Sequence, residues 1–212
     1  MKAQSKKTVA SSRLTHQVRL IGGMWKRTPL DVISAEGLRP TPDRVRETVF
    51  NWLNHLYDAN WQGLRCLDLF SGSGALGFEV ASRGAAHVTM VEVHTPAFRQ
   101  LEQVKQKLGA SQIELIRGDA LSVASSMVAR QQRFDLILLD PPFNQDVLQK
   151  ILPSCARLLS DKGLLYVEAE HVLMSNPQSE DYLSGWQVIR ADKAGSVYFH
   201  ILQRNILAHD GA

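Results

Sequence analysis

The chain has 212 residues, of which 44% are hydrophobic and 21% charged, and its net charge is +3, a composition typical of a globular protein with one sizeable core. No apolar run approaches the roughly 20 residues that span a bilayer, and the N-terminus lacks the apolar segment of a secretory signal, so we exclude membrane-spanning and secreted proteins and expect a cytoplasmic one. The two cysteines lie in apolar surroundings and the histidines are scattered, which predicts buried thiols and no metal site.

The net charge conceals an uneven distribution along the chain. Residues 1–46 contain ten lysines and arginines against three acids, a balance of +7, so the remaining residues carry −4. A basic region joined to a mildly acidic body indicates a polyanion as partner. We expect residues 1–15 to be disordered, and for residues 1–13 alone a solvated tail is the simpler interpretation. The lack of acids before Asp31 leaves a transit peptide as an alternative.

An N-terminal extension over residues 16–60 is predicted to contain a β-hairpin and a helix. The hairpin covers residues 18–33 and turns at the glycine pair 22–23. Thr41 stands between two prolines as a helix N-cap would, and apolar residues then recur at helical spacing. This helix should therefore bury one face. Three charged residues are expected on its exposed faces: Arg44, Arg46 and Glu47.

From residue 61 to residue 205 the pattern alternates between strand and helix. This alternation predicts an α/β fold with a Rossmann-like, mostly parallel seven-stranded sheet and helices on both faces. A short polar connection at residues 192–195 joins the last two strands as a hairpin, so the last strand should be antiparallel. Residues 206–212 are a C-terminal tail. The strands are expected near 64–69, 87–92, 112–117, 134–140, 164–168, 186–191 and 196–202, and the helices near 74–83, 95–108, 119–130 and 145–159, the last interrupted at Pro153.

Acidic residues follow four successive predicted strands, at Asp68, Glu92, Asp119 and Asp140. Open α/β sheets bind their ligands at the carboxyl ends of the strands. The first acid precedes a glycine-rich turn, residues 70–77, where the backbone can approach a ligand closely. The second acid suits the two hydroxyls of a ribose, and the third suits an adenine amine. The pattern therefore predicts a nucleoside-containing cofactor.

Two cofactors fit this pattern. Gly72-x-Gly74-x-x-Gly77 followed by Glu92 also matches the fingerprint of a dinucleotide site, so an NAD-dependent oxidoreductase is an alternative. However, an acid just before the glycines would repel a pyrophosphate, whereas it would hold the ammonium group of a methionine moiety. Acids at four strand ends thus favour S-adenosylmethionine, a zwitterionic sulfonium nucleoside.

The segment Asp140-Pro141-Pro142-Phe143 predicts the chemistry. Its prolines cannot continue the sheet and hold the backbone rigid. The ring can stack on a nucleobase, while the carboxylate and a proline carbonyl accept both hydrogens of an exocyclic amine. Such an amine is a poor nucleophile because its lone pair is delocalised, so holding its hydrogens out of plane aims the lone pair at an electrophile. An acidic turn with Phe143 packed in the core is the alternative.

Taken together, the motifs resemble those of the class I methyltransferases, and more narrowly the RsmD type of small-subunit ribosomal RNA guanine-N2 methyltransferase. The resemblance runs from about residue 18 to residue 204. Its most specific part is the segment 39–53 joined to the basic hairpin segment 19–26, and the glycine loop continuing to Glu79 also matches. The Asp-Pro-Pro-Phe motif is less specific, because adenine-N6 DNA methyltransferases and protein glutamine methyltransferases carry relatives of it.

The resemblance implies a bacterial enzyme that methylates a guanine N2 in 16S rRNA, within an assembled small-subunit particle, and releases S-adenosylhomocysteine. We expect a monomer that needs neither a metal nor a membrane. Methylation of adenine N6 in a nucleic acid is an alternative. A non-catalytic RNA-binding or assembly protein that retains the fold is an alternative of another class.

Each site residue then has an expected role. The catalytic residues are Asp140, Pro141, Pro142 and Phe143. The cofactor-binding residues are Asp68, Phe70, Ser71, Gly72, Gly74, Glu92, Asp119 and Ala120. The phosphate contacts with RNA are Arg19, Lys26, Arg27, Arg39, Arg44 and Arg46. Ion pairing with local acids such as Glu47 is the alternative for Arg39 and Arg44, and for Trp25 both RNA stacking and packing against the hairpin are open.

Overall fold

The computed structural model describes residues 16–32, 43–143, 146–173 and 182–205, and the predicted tails at 1–15 and 206–212 lie outside these ranges. A small antiparallel pair of strands and one helix precede a domain in which strands and helices alternate. In chain order the elements are β1 (His16–Arg19), β2 (Pro29–Val32), α1 (Asp43–Leu56), β3 (Arg65–Asp68), α2 (Ala75–Ser82), β4 (His87–Glu92), α3 (Thr95–Leu108), β5 (Ile113–Arg117), α4 (Ala120–Ala129), β6 (Phe134–Leu139), α5 (Val147–Leu158), β7 (Leu159–Ala169), β8 (Trp186–Ala194) and β9 (Val197–Arg204).

The main sheet has seven strands in the order β5-β4-β3-β6-β7-β9-β8. Strands β3 to β7 pair in parallel, and β9 pairs antiparallel with both β7 and β8. The predicted mostly parallel sheet with an antiparallel last strand is therefore confirmed. Central strands such as β6 are almost continuously apolar because both of their faces are covered.

Two apolar cores cover the two faces of the sheet. The first core packs α1, α2 and α3 against one face, and the second packs α4 and α5 against the other. Adjacent strand residues such as Leu136 and Ile137 belong to different cores, since successive side chains point to opposite faces. Cys66 and Cys155 are buried free thiols, as predicted. Among the helices of the described ranges, none has both the length and the apolar character that crossing a membrane requires.

Proline 153 does not interrupt the fifth helix, contrary to the sequence prediction. Helix α5 runs through it from Val147 to Leu158. Pro153 is exposed, whereas the neighbouring Leu152 and Cys155 are buried. Packing of the apolar face on the sheet thus maintains the helix despite the lost backbone hydrogen bond.

The predicted N-terminal hairpin is present, but its turn differs from the prediction. The glycine pair does not form a tight turn, because residues 20–28 form a longer loop that leaves the hairpin and packs on α2. The main-chain N of Leu20 donates to the carbonyl of Thr28 over 3.0 Å, and the N of Arg27 donates to the carbonyl of Leu20 over 2.8 Å. We call residues 20–28 the docking loop.

Buried polar groups of α2 hold the docking loop in place. Glu79 is fully buried, and its carboxylate accepts hydrogen bonds from the main-chain N of Ile21 over 2.6 Å and of Gly22 over 2.8 Å. Ser82 accepts from the N of Trp25 through its Oγ over 2.9 Å and donates to the carbonyl of Gly22 over 2.6 Å. The N-terminal extension is therefore part of the folded body. Since α2 begins at the carboxyl ends of the strands and ends at Ser82, the docking loop lies towards their amino ends.

Gly23 is the most constrained residue of the docking loop, and we expect Gly23→Ala to destabilise the fold by about 2–3 kcal/mol. Gly23 has a φ of +72°, and a Cβ there would lie 1.8 Å from the carbonyl oxygen of Ser82. Urea unfolding would measure the loss. Gly195→Ala is the matched control, since Gly195 has a φ of +63° in open space. Equal losses in the two variants would contradict this account of the docking loop.

Candidate active site

The four predicted acids lie along one edge of the sheet. Asp68 ends β3, Glu92 ends β4, Asp119 follows β5 and Asp140 follows β6. These strands are neighbours in the sheet and run parallel, so their carboxyl ends meet at the same edge. We call it the carboxyl edge, and the opposite one the amino edge.

The glycine-rich turn between β3 and α2 brings main chain to the carboxyl edge. Gly74 precedes α2 with a φ of 82°, and a Cβ there would lie 2.5 Å from the ring of Phe78. The N of Gly74 donates to the carbonyl of Ser71 over 2.6 Å, and the N of Ser71 donates to the carbonyl of Val91 over 3.0 Å. Only a residue without a side chain fits at position 74, so the tight turn depends on it.

Asp68 is an anchor of this turn. It is 1% exposed, and its Oδ2 accepts a hydrogen bond from the N of Gly77 over 3.1 Å. Burial raises the pKa of the Asp68 carboxyl to about 7, although hydrogen bonds from the main chain of Phe70 and Gly77 oppose the shift. Phe70 itself is half-buried against the second core, and Ser71 is buried. The predicted contact of Asp68 with an ammonium group stays a prediction.

The raised pKa of Asp68 predicts a pH dependence of stability. An ordinary aspartate has a pKa of 3.8, so as the pH rises from 4 to 7 the unfolded chain releases this proton while the folded chain retains it. The contribution of this group to the free energy of unfolding is therefore fully present below about pH 4. It is lost as the pH rises through 7, which lowers the free energy of unfolding by about 2–4 kcal/mol. We expect Asp68→Asn to abolish this decline with pH in the free energy of unfolding, as measured with urea. Asp119 is exposed, so Asp119→Asn should preserve the decline. Identical profiles for Asp68→Asn and the unaltered protein would contradict the assignment.

Glu92 ties the glycine-rich turn to β4. It is 7% exposed, its Oε2 accepts from the N of Gly72 over 2.7 Å, and its Oε1 accepts from the N of His94 over 2.7 Å. Each carboxylate oxygen has two lone pairs, so each retains one acceptor position after these bonds. Two acceptor positions side by side match the two hydroxyls of a ribose.

Asp119 caps the helix that follows β5. Its Oδ1 accepts hydrogen bonds from the N and the Oγ of Ser122, each over 2.9 Å. The side chain is exposed at the carboxyl edge, and Ala120 behind it is buried. Next to Glu92 the side chain of Val93 is 66% exposed. An exposed apolar side chain beside Glu92 suits the lining of a site for a flat heterocycle.

The segment after β6 presents an acid and a ring to the same edge. Asp140 is half-buried, Pro141 is buried and Pro142 is exposed. The side chain of Phe143 is 37% exposed and thus does not lie in the core, contrary to the alternative that an acidic turn buries it. Residues 144–145 lie outside the described ranges. An exposed ring after a rigid proline pair suits stacking on a base.

Sequence reasoning missed a fifth acid on the next strand of the sheet. Glu168 is 2% exposed on β7, and its Oε1 accepts a hydrogen bond from the hydroxyl of Tyr166 over 2.9 Å. Burial raises the pKa of Tyr166 well above its ordinary value, and the nearby carboxylates of Glu168 and Asp140 raise it further. Tyr166 therefore remains a neutral hydrogen-bond donor. The missed signal is an acid at the end of a strand that neighbours β6.

The predicted RNA contacts divide into exposed and buried residues. Arg19, Lys26, Arg27 and Arg44 are exposed. Arg39 lies outside the described residues. The indole of Trp25 packs against the first core, which favours the packing interpretation.

Arg46 is buried, and its prediction as an exposed residue is wrong. It is 0% exposed, and its Nη2 lies 2.6 Å from the Oδ1 of Asp43. Within the described ranges its Nε and Nη1 have no hydrogen-bond partner. Arg46 shares the inward stripe of α1 with Val49 and Leu53, because residues three, four and seven apart lie on one helix face.

Comparisons with known proteins identify relatives of this chain. Residues 18–203 match the model of the family described as "Conserved hypothetical protein 95". "Ribosomal RNA small subunit methyltransferase D" of Escherichia coli is 36% identical over 193 residues, which cover 89% of this chain and 90% of the relative. The solved structure of yhhF from Escherichia coli is 34% identical with a TM-score of 0.73, and the match covers 89% of this chain and 98% of that one.

A more distant structure shares the fold alone. The SAM-dependent methyltransferase from Agrobacterium tumefaciens is 19% identical with a TM-score of 0.66, and the match covers 90% of this chain and 70% of that one. The two closer matches extend over nearly the whole chain and over nearly the whole of each relative. The chain therefore belongs to the ribosomal RNA small subunit methyltransferase D family, and its cofactor is S-adenosylmethionine, as the acids of the carboxyl edge predicted.

Proposed function

We propose that the chain methylates the exocyclic N2 of a guanine in 16S rRNA, of the guanine(966) type, on assembled small-subunit particles. The observation that carries the proposal is that half-buried Asp140 and the exposed ring of Phe143 follow the same strand, beside the glycine-rich turn. Ribosomal RNA as the substrate class is supported by the name of the Escherichia coli relative.

The residues of the carboxyl edge fit S-adenosylmethionine. Glu92 has acceptor positions for the ribose hydroxyls, Asp119 is exposed to meet the adenine amine, and the turn at Gly74 opens the main chain to the amino-acid end. When bound, the cofactor supplies an electrophilic methyl group. An acidic edge suits its positive charge and would repel the pyrophosphate of NAD.

The target amine is prepared by the segment after β6. Phe143 stacks on a guanine that has been splayed out of its RNA context. Asp140 and a proline carbonyl accept the two hydrogens on N2, which turns the nitrogen lone pair out of the plane of the base. Asp140 acts as a hydrogen-bond acceptor, and the proton that leaves the methylated amine passes to water. Orientation of this kind supplies a substantial part of the rate enhancement.

The exposed basic residues of the N-terminal extension are proposed to contact RNA phosphates. Arg19 and Arg44 extend from β1 and α1, and Lys26 and Arg27 extend from the docking loop. Since the docking loop lies towards the amino edge, an RNA that reaches both it and Phe143 spans roughly the length of a strand, about 20 Å. Such a span suits a folded RNA or a ribonucleoprotein particle better than a single nucleotide.

Mapping the methylated nucleotide tests the proposal. Purified small-subunit particles and protein-free 16S rRNA would each be incubated with the protein and labelled S-adenosylmethionine, with excess S-adenosylhomocysteine as the control. We expect label on a single guanine, at N2, and a faster reaction with particles. Label on an adenine N6 would establish the alternative enzyme. Tight RNA binding without transfer would establish an assembly factor.

A further inference from the structure

We infer that the amino edge of the sheet carries a second RNA-binding site, an arginine-lined cavity that binds backbone phosphates of the substrate. This inference rests on the proposed function only in taking RNA as the substrate. It assigns a binding role to residues that lie at the opposite edge from the acids and from Phe143.

The cavity lies where five elements end or begin. It has a volume of about 810 Å³ and is bordered by the end of α4, the last turn of α5, the starts of β7 and β8, and the end of β9. Trp186, which pairs with Arg204 across β8 and β9, is buried to 6% exposure and forms part of the lining. The site is therefore formed by the sheet and two helices, and it is more than a patch of surface side chains.

The charge of the cavity is positive. Among the described residues, three arginines, Arg133, Arg157 and Arg204, line it together with one acid, Asp161. This balance is opposite to that of the carboxyl edge, where the acids gather. In the part of the chain that the structure describes, Arg133 and Arg157 take part in no ion pair, and both are exposed. Arg133 donates from its Nη1 to the carbonyl of Gln132 over 3.1 Å. The other N–H groups of Arg133 and the guanidinium of Arg157 are available to an anion from solution.

Arg204 has unused hydrogen-bonding capacity in the same cavity. Its Nη2 lies 3.0 Å from the Oδ1 of Asp161, whose side chain is 94% exposed. Its Nε is buried and has no hydrogen-bond partner among the described residues. A buried donor without a partner is costly, so the present position of this guanidinium leaves it incompletely satisfied. Because an exposed ion pair contributes little, Asp161 can be displaced by a phosphate at small cost.

Phosphate is the anion that this arrangement fits best. Planar guanidinium groups bind phosphate oxygens through paired N–H donors, and several arginines around one cavity match successive phosphates of a chain. The exposed Lys26 and Arg27 of the docking loop also lie towards the amino edge, on the other face of the sheet. Basic groups on both faces of this edge suit a large RNA that extends well beyond the base at Phe143.

The salt dependence of RNA binding tests the cavity directly. The double variant Arg133→Gln/Arg157→Gln removes two charges from it. The matched control Lys105→Gln/Lys107→Gln removes two charges from the last turn of α3, beside the distant strand β5. Binding to protein-free 16S rRNA would be measured over a range of salt. If both arginines contact phosphate, the log–log slope should shrink by roughly 1.4–1.8 for the cavity variant and remain unchanged for the control.

A third variant should change affinity in the opposite direction. Asp161→Asn removes the one acid that the described residues contribute to the cavity lining and releases Arg204, so it should tighten RNA binding. Equal slope changes in the cavity and control variants, no change in either, or weaker binding by Asp161→Asn would overturn the inference. Loss of binding to particles but not to protein-free RNA would instead point to a ribosomal protein as the partner and would also overturn it. Methylation of a base other than guanine contradicts the proposed function but leaves these measurements intact.

Discussion

Replacing Asp140 with alanine should lower the rate of methyl transfer roughly 100- to 1000-fold, while the affinity for S-adenosylmethionine stays close to that of the unaltered protein. Asp140 follows β6 next to the exposed ring of Phe143, and the contacts we assign to it are with the target amine. Without its carboxylate, the amine hydrogens are no longer held and the lone pair returns to the plane of the base. Single-turnover transfer with labelled cofactor measures the rate, and calorimetry measures the affinity.

The control for this experiment lies in the same connection between β6 and α5. Asp146 is an exposed acid that precedes α5, and its side chain forms no capping hydrogen bond. Asp146→Asn should therefore transfer methyl groups at the normal rate. A normal single-turnover rate in Asp140→Ala would contradict the catalytic role assigned to Asp140. A large loss of cofactor affinity in that variant would move Asp140 to the cofactor site.

Replacing Glu92 with alanine should weaken binding of S-adenosylmethionine by roughly 100-fold, since a hydrogen bond to a charged group contributes about 1.5–3 kcal/mol. Two losses act together in this variant. The ribose loses its acceptors, and the main-chain N of Gly72 and of His94 lose the carboxylate that holds them, at 2.7 Å each. The glycine-rich turn should thus become less ordered, and the site should become less complementary to the ribose of the cofactor. Calorimetry with S-adenosylmethionine and with S-adenosylhomocysteine measures the effect.

Glu114→Ala is the matched control for Glu92→Ala. Glu114 lies on the neighbouring strand β5, is exposed, and pairs with His87 over 3.3 Å. Its loss should leave cofactor affinity unchanged. If Glu92→Ala binds the cofactor normally, the acid at the end of β4 does not hold the ribose. Binding of NAD by the unaltered protein would instead revive the dinucleotide interpretation of the glycine turn.

The order of the elements and the acids at the strand ends were predictable, but several details besides the continuity of α5 at Pro153 were not. Local sequence rules place the hairpin turn at the glycine pair, because they take account only of neighbouring residues. In the structure Glu79 and Ser82, nearly sixty residues away, hold that loop against α2. Arg46 was assigned to an exposed face because charged residues are rarely buried alone. Glu168 was overlooked because no motif marks it.

The amino-acid sequence was sufficient to predict the fold class, the cofactor and the family. Period-two and helical patterns are local, and parallel strands joined by helices bring their carboxyl ends to one edge without further information. The long-range contacts of the folded chain were needed to tell which polar groups serve the ligand and which serve the fold. Asp68, Glu92 and Glu79 look alike in the sequence, yet the first two tie the glycine-rich turn and the third fastens the N-terminal extension. The arginine cavity was not predictable either. Arg133, Arg157 and Arg204 come from distant parts of the chain and line one cavity only after the last strands have joined the sheet. Burial and hydrogen-bond partners depend on contacts distant in sequence, which no local pattern encodes.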